Sequence, residues 1–347
     1  MRVLAAMSGG VDSSVTAALL LEDGHEVVGA TMKLWGGPSD QGCCSVADVD
    51  DARRVCQQLG VAHHVFNFSD DFDAHVVAPY IDAHVHGQTP NPCIECNRHL
   101  KFDRFLARAM QLGFDAIATG HHARVVANGG SWELRRGLDA AKDQSYVLHM
   151  LDQAALAKTL LPVGVITKTD VRAKAAALGL RTSAKPDSQD TCFLPSLGGR
   201  TTFLGDRIPL RPARVVDTAG RDVGTVDAIE LVTVGQRKGL GVGATSDGGE
   251  ARYAIGIDTE RGVVTVGSVD DLVCSEQSVV KMTWVDGDLD RGRRVRVQTS
   301  AHGRTNAAVF TGESVQWGEP QRRVAPGQSV VLYDDDDDRV LGGGFAA

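Results

Sequence analysis

The feature that most constrains this chain is a glycine turn set between an apolar run and a helical run, Ser8-Gly9-Gly10-Val11-Asp12-Ser13-Ser14. Arg2 to Ala6 reads as a strand and Ser13 to Leu21 as a helix, so the turn sits where a strand hands over to a helix N-terminus. In that context glycines permit positive φ and close approach, backbone N–H groups point at an anion, and the helix dipole favours negative charge. Ser8, Ser13 and Ser14 add hydroxyls. The turn therefore predicts a phosphate site at the edge of a parallel sheet. The Gly-Lys-Ser/Thr ending of one phosphate loop and the G-x-G-x-x-G spacing of the dinucleotide fingerprint are both absent.

The rest of the first half repeats the alternation. His25 to Leu34, His63 to Phe68 and Asp115 to Thr119 read as strands, and Val46 to Leu59, Asp70 to His86 and Asn97 to Leu112 as helices. The fold class expected is α/β, a doubly wound parallel sheet. Near residue 197 the period changes to short Val- and Gly-rich runs separated by turns, as in Tyr253 to Asp258 and Val263 to Gly267. Arg294 to Thr299, Ala307 to Phe310, Ser329 to Tyr333 and Val340 to Leu341 continue that pattern. The expected organisation is a catalytic domain over 1–197, a small β-rich domain over 198–268 and a β-barrel over 269–347.

Charge and cysteine usage bear on partners. The formal net charge is −8, but Asp334 to Asp338 supply five negative charges in one run, read as a solvated hairpin loop. Nucleic acid binding would need a local patch, and Arg291 to Arg323 offers seven Arg against two Glu. The opening residues lack the long apolar segment of a secretory signal, and no stretch approaches bilayer length, so a cytoplasmic protein is expected. There the seven Cys make a reactive or metal-binding role more informative than a disulfide framework.

Cys93 and Cys96 lie in Thr89-Pro90-Asn91-Pro92-Cys93-Ile94-Glu95-Cys96-Asn97, a proline-stiffened loop that leads into a helix. With Asn97 as cap, Cys96 would sit beside the helix N-terminus, where the dipole favours thiolate. A single C-x-x-C is half a structural zinc site. Cys192 stands in Asp187-Ser188-Gln189-Asp190-Thr191-Cys192-Phe193. Cys43, Cys44, Cys56 and Cys274 fit no reactive pattern and read as structural or incidental.

The glycine turn resembles the S-G-G-x-D-S loop of the PP-loop ATP pyrophosphatases, with their adenine-nucleotide α-hydrolase-like fold. Taken with T-P-N-P-x-x-x-C-N, Gly120-His121-His122-Ala123, Lys142-Asp143-Gln144-Ser145-Tyr146 and D-S-x-x-x-C-F, the chain resembles the tRNA-specific 2-thiouridylases along almost its whole length. The resemblance implies that ATP adenylates O2 of the wobble uridine and that sulfur replaces it. It implies Cys96 as catalytic nucleophile and Cys192 as persulfide carrier, the two ending as a disulfide. ATP, with Mg²⁺, would be held by Ala6, Met7, Ser8, Gly9, Gly10, Val11, Asp12, Ser13, Met32 and Gly120. Contacts to tRNA would come from Asn91, Pro92, Cys93, His121, Lys142, Asp143, Gln144 and Gln328, with His302 and Arg304 as weaker candidates. Partners implied are tRNAs of the Glu, Gln and Lys type and a sulfur donor such as a cysteine desulfurase or relay carrier, with no membrane.

The chain departs from the family at Cys93, where well-studied members carry an Asp proposed as general base; Glu95 lies nearby in sequence. Cys93, Cys96 and Cys192 together raise an alternative, three ligands to a [4Fe-4S] cluster. Other readings are a PP-loop ligase for a small metabolite, a non-catalytic ATP-binding regulator, and an RNA-binding module.

Overall fold

The computed structural model describes residues 1–35, 45–187, 191–194, 197–242 and 251–347. Cys43, Cys44 and residues 188–190 of the Cys192 motif lie outside them. The N-terminal sheet is parallel throughout. Its strands are β1 (Arg2–Ala6), β2 (Glu26–Lys33), β3 (His63–Asn67), β4 (Ala116–Ala118) and, further along the chain, Thr159–Leu160, in the order β3-β2-β1-β4 and then that last strand. Side chains of β1 alternate between two cores, as the period of a strand requires. Val3 and Ala5 pack with Val11, Val15, Val55 and Cys56 of the helices α1 (Val11–Glu22) and α2 (Val46–Leu59). Leu4 and Ala6 pack on the other face with Phe102, Phe105 and Ala109. Helices on both faces make the sheet doubly wound.

The chain leaves β1 toward β2 on one side and returns to β4 on the other, so the order reverses between β1 and β4. Ligands of such sheets bind at that crevice, outside the carboxyl ends of the strands. The glycine turn follows β1 and Gly120-His121-His122 follows β4, which places both motifs there.

Sequence patterning missed a hairpin directly after that crevice: β5 (Ala123–Asn128) and β6 (Ser131–Arg136), joined by Gly129 and Gly130, both at positive φ. The missing strand Thr159–Leu160 is β7. The central sheet has the order β10-β11-β8-β9, from β8 (Ala213–Val216), β9 (Asp222–Val226), β10 (Tyr253–Asp258) and β11 (Val263–Gly267). The C-terminal strands are β12 (Val273–Trp284), β13 (Arg294–Gln298), β14 (Asn306–Phe310), β15 (Ser314–Arg322), β16 (Ser329–Tyr333) and β17 (Arg339–Ala346). They run β12-β15-β14-β13-β16-β17, and β17 pairs back to β12, closing a six-stranded antiparallel barrel. β6 also pairs with β17, through Arg135 with Arg339 and Leu134 with Val340, so the β5–β6 hairpin extends the barrel sheet.

The aspartate run is a hairpin loop between β16 and β17, but it is not simply solvated. Asp338 takes ion pairs from Arg124 at 2.5 Å and Arg135 at 2.8 Å, and Asp337 from Arg136 at 2.9 Å. These arginines face the loop from the β5–β6 hairpin and neutralise much of what reads in sequence as a repulsive tract. Tyr146 and Tyr333, both fully buried, complete the junction: the Tyr146 hydroxyl donates to the Ser329 carbonyl at 3.0 Å, and Arg136 lies 3.8 Å above the Tyr333 ring. No helix among the described residues is long and apolar enough to cross a membrane.

Candidate functional site

The phosphate loop is built from its own hydroxyls and from tight backbone approach. Ser13 Oγ accepts from the Ser8 N–H at 3.2 Å and donates to the Gly10 carbonyl at 3.0 Å, and Ser14 Oγ donates to the same carbonyl at 2.8 Å. Gly9 has φ +74°, and a Cβ there would lie 2.3 Å from the Asp48 carbonyl oxygen. At Gly120 a Cβ would lie 2.8 Å from the Ser13 nitrogen and 2.9 Å from Asp12, so only glycine lets the loop after β4 approach the start of α1. No side chain caps α1, which leaves its first-turn N–H groups for an anion. Ala6, Met7 and Val11 are buried in the core, so they can serve a nucleotide through backbone only. Met7 is fixed by its N–H to the Ala30 carbonyl at 2.8 Å and by its carbonyl, which accepts from Thr31 at 2.7 Å. Half-buried Met32, on β2, packs against the apolar clusters on either side of it.

Asp12 is held by residues that sequence reasoning left unassigned. Lys168 Nζ donates to its two oxygens at 2.7 and 2.6 Å, and His122 Nε2 lies 3.0 Å from Oδ1. Burial pushes the Asp12 carboxyl up, but the hydrogen bonds and charge of His122 and Lys168 outweigh it and hold the group below its ordinary value. Lys168 also reaches Asp187 at 2.9 Å, and Asp187 is further paired with Lys142 at 2.7 Å and Arg172 at 2.6 Å. Burial raises the Asp187 carboxyl, and the hydrogen bonds and charges of Lys142 and Lys168 bring it far below the carboxylate range. The first residue of the Cys192 motif is thereby tied to the phosphate loop. Lys185 anchors the loop from its other side, donating to the Gly9 carbonyl at 2.9 Å and pairing with Asp48 and Asp51. The Thr167-x-x-Asp170 capping box announces the helix Lys168–Ala177, yet nothing in sequence ties a lysine 156 residues away to Asp12.

The cysteine helix starts earlier than its sequence suggests. Asn91, not Asn97, is the cap: its side chain accepts from the Cys93 N–H at 3.0 Å and Pro92 takes the first helical position. Pro92–Glu95 continues into a wider, π-helical stretch, Cys96–Arg104, and then Phe105–Gln111. Asn97 is buried and donates to the Val147 carbonyl at 2.9 Å. The helix-end field, which fades within one turn, therefore acts at exposed Cys93 rather than at Cys96. Cys96 is 8% exposed, in an apolar cluster with Leu34, Phe72, Tyr80 and Phe193, and Cys192 packs against that cluster. The Glu95 carboxylate turns along the helix to His99 at 3.3 Å and Arg98 at 3.6 Å. Among the described residues no group of three or more His, Cys, Asp or Glu is arranged to hold a metal ion, so Cys93, Cys96 and Cys192 as placed are not such a group.

The residues expected at tRNA have varied surroundings. His121 is buried, bonded to Thr119 at 2.7 Å, and its pKa is held well below the ordinary value by burial and then by the nearby Lys101 charge. Asp143 accepts from Arg136, the Gly137 N–H and Ser145, and Gln144 accepts from the His122 N–H at 2.9 Å. These two side chains serve the junction between the crevice and the barrel. Lys142 is bound to Asp187, and the side-chain amide of Gln328 donates to the Thr89 carbonyl. Arg304, His302 and most of the barrel arginines, including Arg291, Arg293, Arg294, Arg322 and Arg323, are exposed.

Three family models match the chain in succession: the tRNA methyl transferase HUP domain over residues 1–196, the tRNA methyl transferase PRC-barrel domain over 201–268 and the aminomethyltransferase beta-barrel domain over 276–346. A protein of Chloroflexus aggregans named tRNA-specific 2-thiouridylase MnmA is 46% identical over 358 residues, covering 99% of this chain and 98% of its own. Proteins of the same name from Corynebacterium kroppenstedtii and Mycolicibacterium smegmatis are each 44% identical, over 99% and 98% of this chain and 94% and 98% of theirs. Among solved structures, a 4-thiouridine synthetase in complex with RNA and ATP covers 59% of this chain and 49% of its own at 17% identity and a TM-score of 0.37.

Proposed function

The chain belongs to the tRNA-specific 2-thiouridylase family, and from that premise we propose how its residues divide the work of an ATP-dependent tRNA sulfurtransferase. The reaction adenylates O2 of a uridine in tRNA and replaces it with sulfur. ATP lies in the crevice between β1 and β4, its phosphates on the Ser8–Ser13 loop and its base toward Met32. The observation that supports this is the close approach of Gly120 to Asp12 and Ser13, which packs the loop after β4 against the start of α1 so that both motifs border one crevice. Mg²⁺ would accompany the nucleotide on phosphate oxygens and water, as this ion prefers, and Asp12, whose oxygens are engaged by Lys168 and His122, would reach it through water.

The uridine O2 attacks the α-phosphorus and pyrophosphate leaves, which turns a poor oxygen leaving group into AMP. The outer sulfur of a persulfide on Cys192 then attacks C2 and AMP departs. Cys96 attacks the Cys192 sulfur, releases the thiocarbonyl and leaves a Cys96–Cys192 disulfide, which an external thiol reduces. The sharing of one apolar cluster by Cys96 and Cys192 supports this sequence, because thiol–disulfide exchange requires the two sulfurs to meet. The uridine is the wobble base of tRNAs of the Glu, Gln and Lys type, presented from an anticodon loop whose bases unstack at low cost. Asn91, Pro92 and Cys93 face it, Lys142 and the exposed barrel arginines meet phosphate, and a cytoplasmic persulfide carrier loads Cys192.

The test is nucleoside mass spectrometry of an unmodified anticodon stem-loop incubated anaerobically with ATP, Mg²⁺ and protein first loaded with sulfane sulfur by polysulfide. ATP-dependent 2-thiouridine that disappears in Cys96→Ala is the expected result. Unchanged product in that variant would sink the assignment of the nucleophile, and full activity in Cys192→Ala treated in the same way would sink the obligatory persulfide.

A further inference from the structure

The four residues before the cysteine helix are where all three parts of the chain meet. Gly87 has φ +72°, and a Cβ there would lie 3.2 Å from Ile257 and from Thr259 of the central domain. The Thr89 hydroxyl donates to the Thr233 hydroxyl of the same domain at 3.1 Å. On its other side Thr89 meets the barrel with both main-chain groups. Its N–H donates to the Pro326 carbonyl at 2.8 Å, and its carbonyl accepts from the Gln328 amide. Gly327, at φ +86°, lets the barrel turn approach until a Cβ would lie 3.3 to 3.4 Å from Gln88, Thr89 and Pro90. The turn is itself fixed to the last strand, Gly327 N–H to the Ala346 carbonyl at 3.0 Å and Ala346 N–H to the Gln328 carbonyl at 2.8 Å. Two residues beyond Thr89, Asn91 caps the helix that carries Cys93 and Cys96.

We propose that Gln328 is a positioning residue for the thiolation step: the barrel uses its side-chain amide to hold Thr89, and so sets where the cysteine helix begins. The amide N–H that resemblance would direct to RNA is engaged inside the protein, on a half-buried carbonyl that its loss would leave unpaired. A cap displaced by a fraction of an ångström moves both cysteines relative to the activated base, and misplacements of about 1 Å cost on the order of a hundredfold in rate. The inference rests on the assignment of Cys96 as nucleophile.

The experiment compares the full-length wild type with Gln328→Ala and Gln328→Glu, the second isosteric but unable to donate. Three quantities are read: the Kd for an unmodified anticodon stem-loop, the single-turnover rate of 2-thiouridine formation at saturating RNA and ATP, and the rate of Cys93 alkylation by iodoacetamide in RNA-free protein. A positioning role predicts a saturated rate lowered at least about tenfold, an RNA Kd within about twofold of wild type, and an altered alkylation rate. An RNA Kd weakened about tenfold with a wild-type saturated rate would overturn the proposal in favour of a direct RNA contact. Wild-type values throughout would overturn it as well, and so would a loss of ATP affinity in step with the rate, since a local positioning residue leaves the phosphate loop intact. If Cys96→Ala keeps full activity, the nucleophile assignment fails separately, and the RNA and alkylation measurements still judge Gln328.

Discussion

Replacing Lys168 by Met tests whether the charge network around Asp12 holds the phosphate loop in shape. The Lys168 side chain is 10% exposed, and its Nζ lies within 2.9 Å of both Asp12 and Asp187. Removing one partner of a fully buried ion pair costs about 3–5 kcal/mol, and a hydrogen bond to a charged group contributes about 1.5–3 kcal/mol. Both carboxylates remain 29% exposed, Asp12 keeps His122, and Asp187 keeps Lys142 and Arg172, so solvent and the remaining partners reduce the loss. The expected cost is about 2 kcal/mol at neutral pH, or roughly thirtyfold faster native-state hydrogen exchange of the α1 amides around Ser13 and Ser14. The acid dependence follows from Asp12, whose folded value lies below 3.8. A depressed carboxylate contributes its full stabilisation above its unfolded value and loses it as pH falls through the folded one. The gap between wild type and variant should therefore hold from pH 7 to about pH 5 and close in more acidic solution. Exchange within twofold of wild type at pH 7, or a gap that widens on acidification, would refute the reasoning.

Gly120→Ala should force apart the loop after β4 and the start of α1, because its Cβ would lie 2.8 Å from the Ser13 nitrogen. Overpacking of about 1–3 kcal/mol would lower ATP affinity roughly 5- to 150-fold by calorimetry, and wild-type affinity would contradict the close approach. Asp337→Asn combined with Asp338→Asn removes the ion pairs to Arg124, Arg135 and Arg136. These groups are partly exposed, so a loss of about 1–2 kcal/mol is expected, seen as a fall of a few degrees in the first calorimetric transition; an unchanged or raised transition would speak against the clasp. Burial pushes the Cys56 thiol up to about 11, whereas Cys93 is exposed. Iodoacetamide at pH 8 should modify Cys93 at least about tenfold faster than Cys56, as peptide mass spectrometry would show.

The parallel sheet was legible because the apolar runs of β1 and β2 and the short Val-Phe core of β3 alternate with helical stretches, and the loop because Gly9 and Gly10 fall where a strand turns into a helix. The cap was misassigned for a local reason. Asn91 and Asn97 are equally good caps in isolation, and only Pro92, suited to the first helical position, favours the earlier one. The strands β12 and β15 went unseen because polar residues such as Ser275, Glu276 and Gln277 interrupt the alternation in β12, whose first half pairs with β15 and second half with β17. Lys168, Lys185 and Asp187 were beyond reach for another reason. Their roles are set by side chains from distant parts of the chain meeting at the crevice, and no local period encodes that meeting. The five-aspartate run misled because charge in sequence says nothing of the arginines that fold opposite it.

The shared edge between β6 and β17 bears on how this enzyme can be divided or inherited. Three successive family models suggest three modules, yet Leu134 and Val340 face one another inside one core with Tyr146 and Tyr333. A fragment ended at residue 268 would carry β5 and β6 as a two-stranded ribbon with a bare edge and an uncovered apolar side, the arrangement through which chains stick to one another. The same cut would strip Arg124 of Asp338 and leave Arg135 and Arg136 with only Glu133 and Asp143. Recombination between relatives should accordingly succeed only when the hairpin and the barrel travel together, so the unit of exchange is a pair of segments about two hundred residues apart.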